Sequence, residues 1–221
     1  MTTSTLSFTI RPVANGIDLR RACEVRAESY GHHVPGWRQS FIEPDTLDHD
    51  ASATVLLCED KNTGAAIGTA RIQTAQQGPL LIERCIDVPA AMARQGRAEI
   101  TRLSAVRGAD MLVKVALWKA TYLYCQATQS RWMIIGARNE ALVRQYRRLG
   151  FQDVHPEGQM VPLRHAGGVM HRVLAMDTYA AERNWLERQH GLYDFVFETY
   201  HPDIQIMDRL VVPAQFDALA A

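Results

Sequence analysis

The amino-acid sequence predicts an α/β chain of the mixed (α+β) kind: a central mixed sheet flanked by helices, with a C-terminal helical extension. Three observations lead there. Residues 53–74 read as an antiparallel hairpin, ATVLLCED, the turn KNTG, and AAIGTARIQT. Residues 109–129 (ADMLVKVALWKATYLYCQATQ) carry Val113, Ala116, Leu117, Ala120 and Tyr124 at helical spacing. RWMIIGA then gives a short, wholly apolar run of the parallel-sheet kind. A meander that feeds into strand–helix–strand units requires a mixed sheet with helices on its faces.

The remaining elements follow in order. FTIRPV (8–13) is a first strand, stopped by Pro12 and the Asn15-Gly16 turn signal. Asp18 is a candidate N-cap for a helix that runs to Gly31. Residues 31–53 are rich in Pro, Gly, Asp and His and read as a long loop, a feature that in a compact domain is usually a functional lid or disordered. Residues 75–98 form an irregular connection with a short helix near Pro89–Arg94, and a strand begins at Ala98. NEALVRQYRRLGF (139–151) is a helix closed by Gly150. HRVLAMDTYA is a further strand, and AAERNWLERQHGLYDFVF a C-terminal helix. Residues 1–178 are expected to form the main domain, with 179–221 an extension packed on it.

Composition narrows the class. At 221 residues, the chain buries roughly 70% of its unfolded surface and needs no staples. Its 24 basic and 24 acidic side chains cancel, which argues against general nucleic-acid binding, because that needs a positive excess. Cys23, Cys58, Cys85 and Cys125 form no CxxC pair and read as small hydrophobes rather than disulfide partners. The eight histidines show no metal-ligand spacing, so no metal is expected. The start MTTSTLSFTI lacks a signal-peptide pattern and no segment reaches the ~20 apolar residues of a membrane span, so a soluble, cytoplasmic protein is expected.

The chemistry begins with an anomaly. A strand next to a parallel neighbour is ordinarily apolar on both faces, yet Ala98-Glu99-Ile100-Thr101-Arg102-Leu103-Ser104 holds a carboxylate and a guanidinium. Each needs a partner or a polar cavity, since an unpaired buried ion costs several kcal/mol. Positions i and i+3 of a regular strand face opposite ways. Glu99 and Arg102 therefore share a pocket only if the strand is irregular between them. Otherwise Glu99 goes with Thr101, and Arg102 with Ser104.

The helix at 139–151 resembles the last helix of GNAT acyltransferases, N-x(6)-Y-x(3)-G-F, with Asn139, Tyr146, Gly150 and Phe151 in register. The resemblance implies that Asn139 contacts a pantetheine arm and that Tyr146 protonates a departing thiolate; Asn139 is equally a helix N-cap. Glu99 to Val106 resembles the ExxR strand of acyl-homoserine lactone synthases and N-acyl amino acid synthases, GNAT relatives that use long-chain acyl-carrier-protein donors. Arg26, Tyr30 and Trp37 resemble landmarks of their N-terminal helix and loop, Asp45 and Asp48 their acidic pair, and Arg71 the arginine of their second hairpin strand. Leu103 and the long 155–221 segment lean towards the N-acyl amino acid synthase branch.

The resemblance implies an N-acyltransferase that takes a long-chain acyl group from an acyl-phosphopantetheine donor (acyl-carrier protein or acyl-CoA) to a small-molecule amine, with no tightly bound cofactor. Glu99 is the preferred base, with Asp45 or Asp48 as alternatives. Arg71 or Arg102 would hold an acceptor carboxylate. Amides near Ala105 and Val106 would stabilise the oxyanion, and Val106-Arg107-Gly108-Ala109 stands where acetyl-CoA users carry a more glycine-rich phosphate loop. Arg107 would pair with the single phosphate of a carrier's arm. Arg144, Arg147 and Arg148 lie on one helix face, where they would meet an acidic carrier protein or simply face solvent. Trp118 serves an acyl tunnel or the core. The alternatives are an S-adenosylmethionine-dependent lactone synthase and a non-catalytic binding module of the same fold.

Overall fold

The computed structural model describes residues 2–33, 36–156 and 158–206. Ten strands are described: β1 Thr2–Thr3, β2 Phe8–Pro12, β3 Ala53–Asp60, β4 Ala66–Thr74, β5 Arg97–Ala105, β6 Trp132–Ala137, β7 Gln152–Asp153, β8 Val161–Leu163, β9 Val169–Asp177 and β10 Thr199–Tyr200. The α-helices are α1 Gly16–His33, α2 Trp37–Phe41, α3 Ala90–Ala93, α4 Met111–Ala127, α5 Glu140–Arg148 and α6 Ala181–Glu187. The main sheet runs β2-β3-β4-β5-β6-β9-β7 with β8 on β9, and β1 pairs with β10. It is mixed, as expected: β5 and β6 are parallel, from Arg97 opposite Trp132 to Ile100 opposite Ile135, whereas β2–β3 and β6–β9 are antiparallel. Contacts divide the chain into two compact units. The first holds Thr2, Ile72–Thr101 and Thr121–Tyr200; the second holds Thr3–Arg71, Arg102–Ala120 and the described residues from His201 onward.

Local chemistry explains where the elements start and stop. Asn15, not Asp18, caps α1, because its Oδ1 accepts the amides of Ile17 and Asp18 at 2.9 and 3.0 Å. Asp18 sits inside the first turn and pairs with Arg11 instead. Gly31 does not end α1. A Cβ there would come within 2.7 Å of Arg38 Cβ, so this glycine lets α2 pack closely against α1. The long loop expected at 31–53 accordingly contains α2 and a 3₁₀ turn, Thr46–His49. The α4 positions picked out by spacing (Val113, Ala116, Leu117, Ala120 and Tyr124) are all buried. Asn139 caps α5 through Leu142 N (3.0 Å), and Gly150 follows it with φ +97°, the left-handed stop that its place predicted.

The C-terminal helix expected at 180–197 is broken. α6 stops at Glu187, Gln189 turns left-handed (φ +49°), and a separate π-helical turn spans Asp194–Glu198. Of the expected extension, residues 207–221 lie outside the described residues. All four cysteines are free. Burial pushes the Cys23 thiol up to about 11 and those of Cys58 and Cys125 up to about 12, as suits small core hydrophobes. No described helix is long and apolar enough to cross a membrane.

Candidate functional site

In the second unit, α1, the 3₁₀ turn, β4 and the end of β5 bring five ionised side chains together. Arg26, 2% exposed, places Nη1 2.9 and 2.8 Å from the two oxygens of Asp48. Arg71, 1% exposed, reaches Asp48 at 3.1 Å and Asp45 at 2.6 Å through the same Nη1. Arg102 Nη2 lies 3.2 Å from the other oxygen of Asp45. The two aspartates are held by a reciprocal cap: Asp45 Oδ1 accepts Asp48 N while Asp48 Oδ2 accepts Asp45 N. The acidic pair singled out in the sequence is thus the hinge of the cluster.

The electrostatics follow from this count. Burial raises the Asp45 pKa, but Arg71 and then Arg102 hold the carboxyl well below the usual range. Asp48 behaves alike: burial raises it, and Arg26 and Arg71 bring it below the ordinary value. Arg102 is pushed down, by burial first and by Arg71 second. Arg26 Nε and Nη2 and Arg102 Nε have no hydrogen-bond partner in the described structure. Among the described residues, three guanidinium groups pair with two carboxylates here, a surplus of one positive charge.

Arg102 is also conformationally unusual. Its φ of +57° puts a long side chain in the left-handed region, so the strand is irregular at this residue. Its guanidinium lies 4.1 Å from the centre of the Phe41 ring. Tyr30 and Trp37 complete that aromatic group, with ring centroids 4.8 and 5.7 Å from Phe41. Phe41 carried no signal in the sequence, lying in what read as loop. Ser104 is buried and donates to Arg102 O at 3.2 Å, bracing the same turn.

The second unit also holds the Val106-Arg107-Gly108 turn. Val106 N donates to Ile67 O at 3.0 Å, so that amide is already engaged and does not serve as the expected oxyanion donor. Gly108 has φ +80°, and Arg107 is exposed, its amide turned towards Glu28 Oε1 at 3.4 Å. A cavity of about 380 Å³ adjoins this turn, lined by Arg21, Glu24, Glu28, Gly64 and Val106 among others. Two carboxylates in its wall oppose a phosphate.

In the first unit Glu99 is 1% exposed. Its Oε2 accepts Ile82 N at 2.8 Å, and Oε1 lies 3.1 Å from His165 Nε2. Tyr146 is half-buried on α5 with its ring 5.7 Å from Phe151, while Asn139 is exposed beyond its capping bond. Arg144, Arg147 and Arg148 are all exposed, but Arg147 is bound to Asp153 at 2.6 Å, so the three are not equivalent. Trp118, on the α4 segment of the second unit, is buried.

No family model and no curated protein matches the sequence. Solved structures do. FeeM, an N-acyl amino acid synthase from uncultured soil microbes, superposes with a TM-score of 0.62 at 15% identity, covering 85% of this chain and 97% of its own. TofI, seen in a ternary complex with an inhibitor and MTA, gives 0.56 at 20% identity over 82% and 97%. A protein from Desulfovibrio desulfuricans assigned to the GNAT acetyltransferases gives 0.55 at 15% over 77% and 99%. The chain has the GNAT acyltransferase fold.

Proposed function

We propose that the protein is an N-acyltransferase that carries a long-chain acyl group from an acyl-phosphopantetheine thioester to the amine of an amino acid or related small molecule. The observation that carries this reading is the cationic surplus around Asp45 and Asp48, whose Arg102 fork keeps an unpartnered Nε. A planar guanidinium binds a carboxylate through paired bonds. Arg71 is the lesser candidate for that task because both aspartates already occupy it. Tyr30, Trp37 and Phe41 supply apolar surface beside Arg102 for an aliphatic or aromatic part of either substrate.

The reaction is direct aminolysis. The amine must shed a proton before its nitrogen forms a bond with the thioester carbon, and Glu99 is the group proposed to accept it, directly or through water. The carbon–sulfur bond then breaks, and the Tyr146 phenol protonates the thiolate. Asn139 is proposed to contact the pantetheine arm through an exposed amide that its N-capping bond already orients. Arg107, whose side chain is exposed, would pair with the arm's phosphate. A carrier protein would dock on Arg144 and Arg148, since Arg147 is tied to Asp153. Reduced thiols at all four cysteines suit the cytoplasm.

Mass spectrometry of mixtures with acyl-carrier protein, acyl-CoA, S-adenosylmethionine and an amine panel tests the reading. The expected product is an N-acylated amino acid, and Arg102→Ala should raise the acceptor KM about 10- to 100-fold, the loss of a charged hydrogen bond. A lactone formed only with S-adenosylmethionine would identify a lactone synthase instead. Absence of turnover with every donor would leave a binding module.

A further inference from the structure

Glu99 raises a problem of charge. It is 1% exposed, and its two oxygens meet one backbone amide and one imidazole, with no lysine or arginine paired to it among the described residues. A carboxylate so deeply buried is costly as a bare anion. The imidazole of His165 is the group able to carry the compensating proton. Its Nε2 is 3.1 Å from Glu99 Oε1, and its Nδ1 is buried with no hydrogen-bond partner in the described structure.

Both partners are held in place. Ile82 N, which fixes the other oxygen of Glu99, belongs to a turn whose side chain sits in a core of Leu80, Ile86, Met92, Ile134 and Leu163. His165 lies in the β8–β9 turn, closed by Gly167 and Gly168 at φ +68° and +76° and by Gly168 N donating to Leu163 O at 2.9 Å. β6 accommodates that hairpin at Gly136, where a Cβ would meet Leu163 at 2.9 Å and His171 at 3.3 Å. His171, on β9, is a second titratable group coupled to His165. It is kept below its ordinary pKa, by burial first, and its Nδ1 is bonded to Val169 O at 2.7 Å. His171 is therefore a poor competitor for the proton.

The geometry points to His165 as the proton-holding partner of Glu99, a positioning residue that acts on the reaction through that carboxylate. This rests on the acyl-transfer reading above and assigns its proton path. As the amine nitrogen bonds to the thioester carbon, the amine proton passes to the Glu99–His165 pair. The electron pair of the broken carbon–sulfur bond leaves with sulfur, which takes a proton from Tyr146; amide and thiol are the products. The pair then returns its proton through solvent and the phenol is restored. A carboxylate that orients and charges an imidazole is a recurring arrangement in acyl transfer.

The test has two independent readouts. In ¹⁵N-histidine NMR of the intact protein, His165 should carry a proton on Nε2, the nitrogen that faces Glu99. Glu99→Gln should move the His165 Nε2–H proton resonance upfield, since a carboxylate accepts a stronger hydrogen bond than a neutral amide oxygen does. An unmoved Nε2–H resonance overturns the pair, whatever the turnover. In kinetics, His165→Gln keeps an N–H donor for Glu99 but no titratable nitrogen. It should lose about 100-fold in kcat/KM and lose or displace the acid limb of the pH profile, whereas Tyr146→Phe should keep that limb. A His165→Gln enzyme within three-fold of the parent with the same acid limb overturns the inference while the acyl-transfer reading stands. A parent that transfers nothing to any amine overturns that reading and the kinetic role with it, and the Nε2–H resonance still decides whether the two residues share a hydrogen bond.

Discussion

Arg102 combines a buried charge, an aromatic contact and a left-handed backbone, and only the first was legible from sequence. A non-glycine residue in this region costs on the order of 1 kcal/mol. Arg102→Gly should therefore unfold later in urea than Arg102→Ala, by about 1 kcal/mol, with acceptor binding weakened equally in both. Equal stability of the two variants would mean that the backbone carries no strain. The same scale shows why the sequence reading divided as it did. Arg102 is an ionised residue in a strand that ought to be apolar, so it stands out, whereas Asp45, Asp48 and Arg71 show only through their resemblance to a known family. His165 does not. It sits in a glycine- and proline-rich stretch, 66 positions beyond the carboxylate it touches, and no periodicity links a turn residue to a distant strand.

Among elements, the helix-and-strand alternation was readable because 3.6- and 2-residue periods are written locally. Errors came where one residue type has two uses. Gly31 is a plausible helix stop, and equally a gap through which a second helix approaches; Arg38 packed over it decides for the latter. Gly96 makes the same point more severely. It precedes β5, and a Cβ there would lie 2.1 Å from the carbonyl oxygen of Gln129, just past α4, while its own carbonyl accepts Trp132 N at 3.0 Å. Gly96→Ala must displace backbone and should destabilise the protein by about 1–3 kcal/mol, the usual cost of overpacking. Chemical denaturation measures it, and a neutral result would place the α4–β6 connection elsewhere. The break after α6 escaped the sequence reading because residues 180–197 stay amphipathic across the turn that splits them.

For the molecule as a whole, the depressed carboxyl groups set the response to acid. A carboxyl whose folded pKa is lowered contributes stability that is fully present above its unfolded pKa, ~3.9 for aspartate, and lost as pH falls through the folded value. Asp45 and Asp48 are of this kind, as are Asp18, Asp153 and Asp203. Urea unfolding should give a plateau near pH 7 and above, a gentle fall below about 6.5 as the depressed imidazoles of His171, His190 and His201 gain protons on unfolding, and a steep fall below about 4. Asp48→Asn should lower the plateau by about 3–5 kcal/mol, because Arg26 is left buried without its partner, and should soften the acid fall. A plateau unchanged in that variant would show that Arg26 finds another counter-charge. A different consequence comes from how the chain is shared between the two compact units. Each is assembled from separate stretches, and the boundary at residues 101 and 102 falls between Glu99 and Arg102 on a single strand. A deletion series walking in from either terminus never isolates one unit, so protein dissection by truncation is closed as a route to assigning their separate roles.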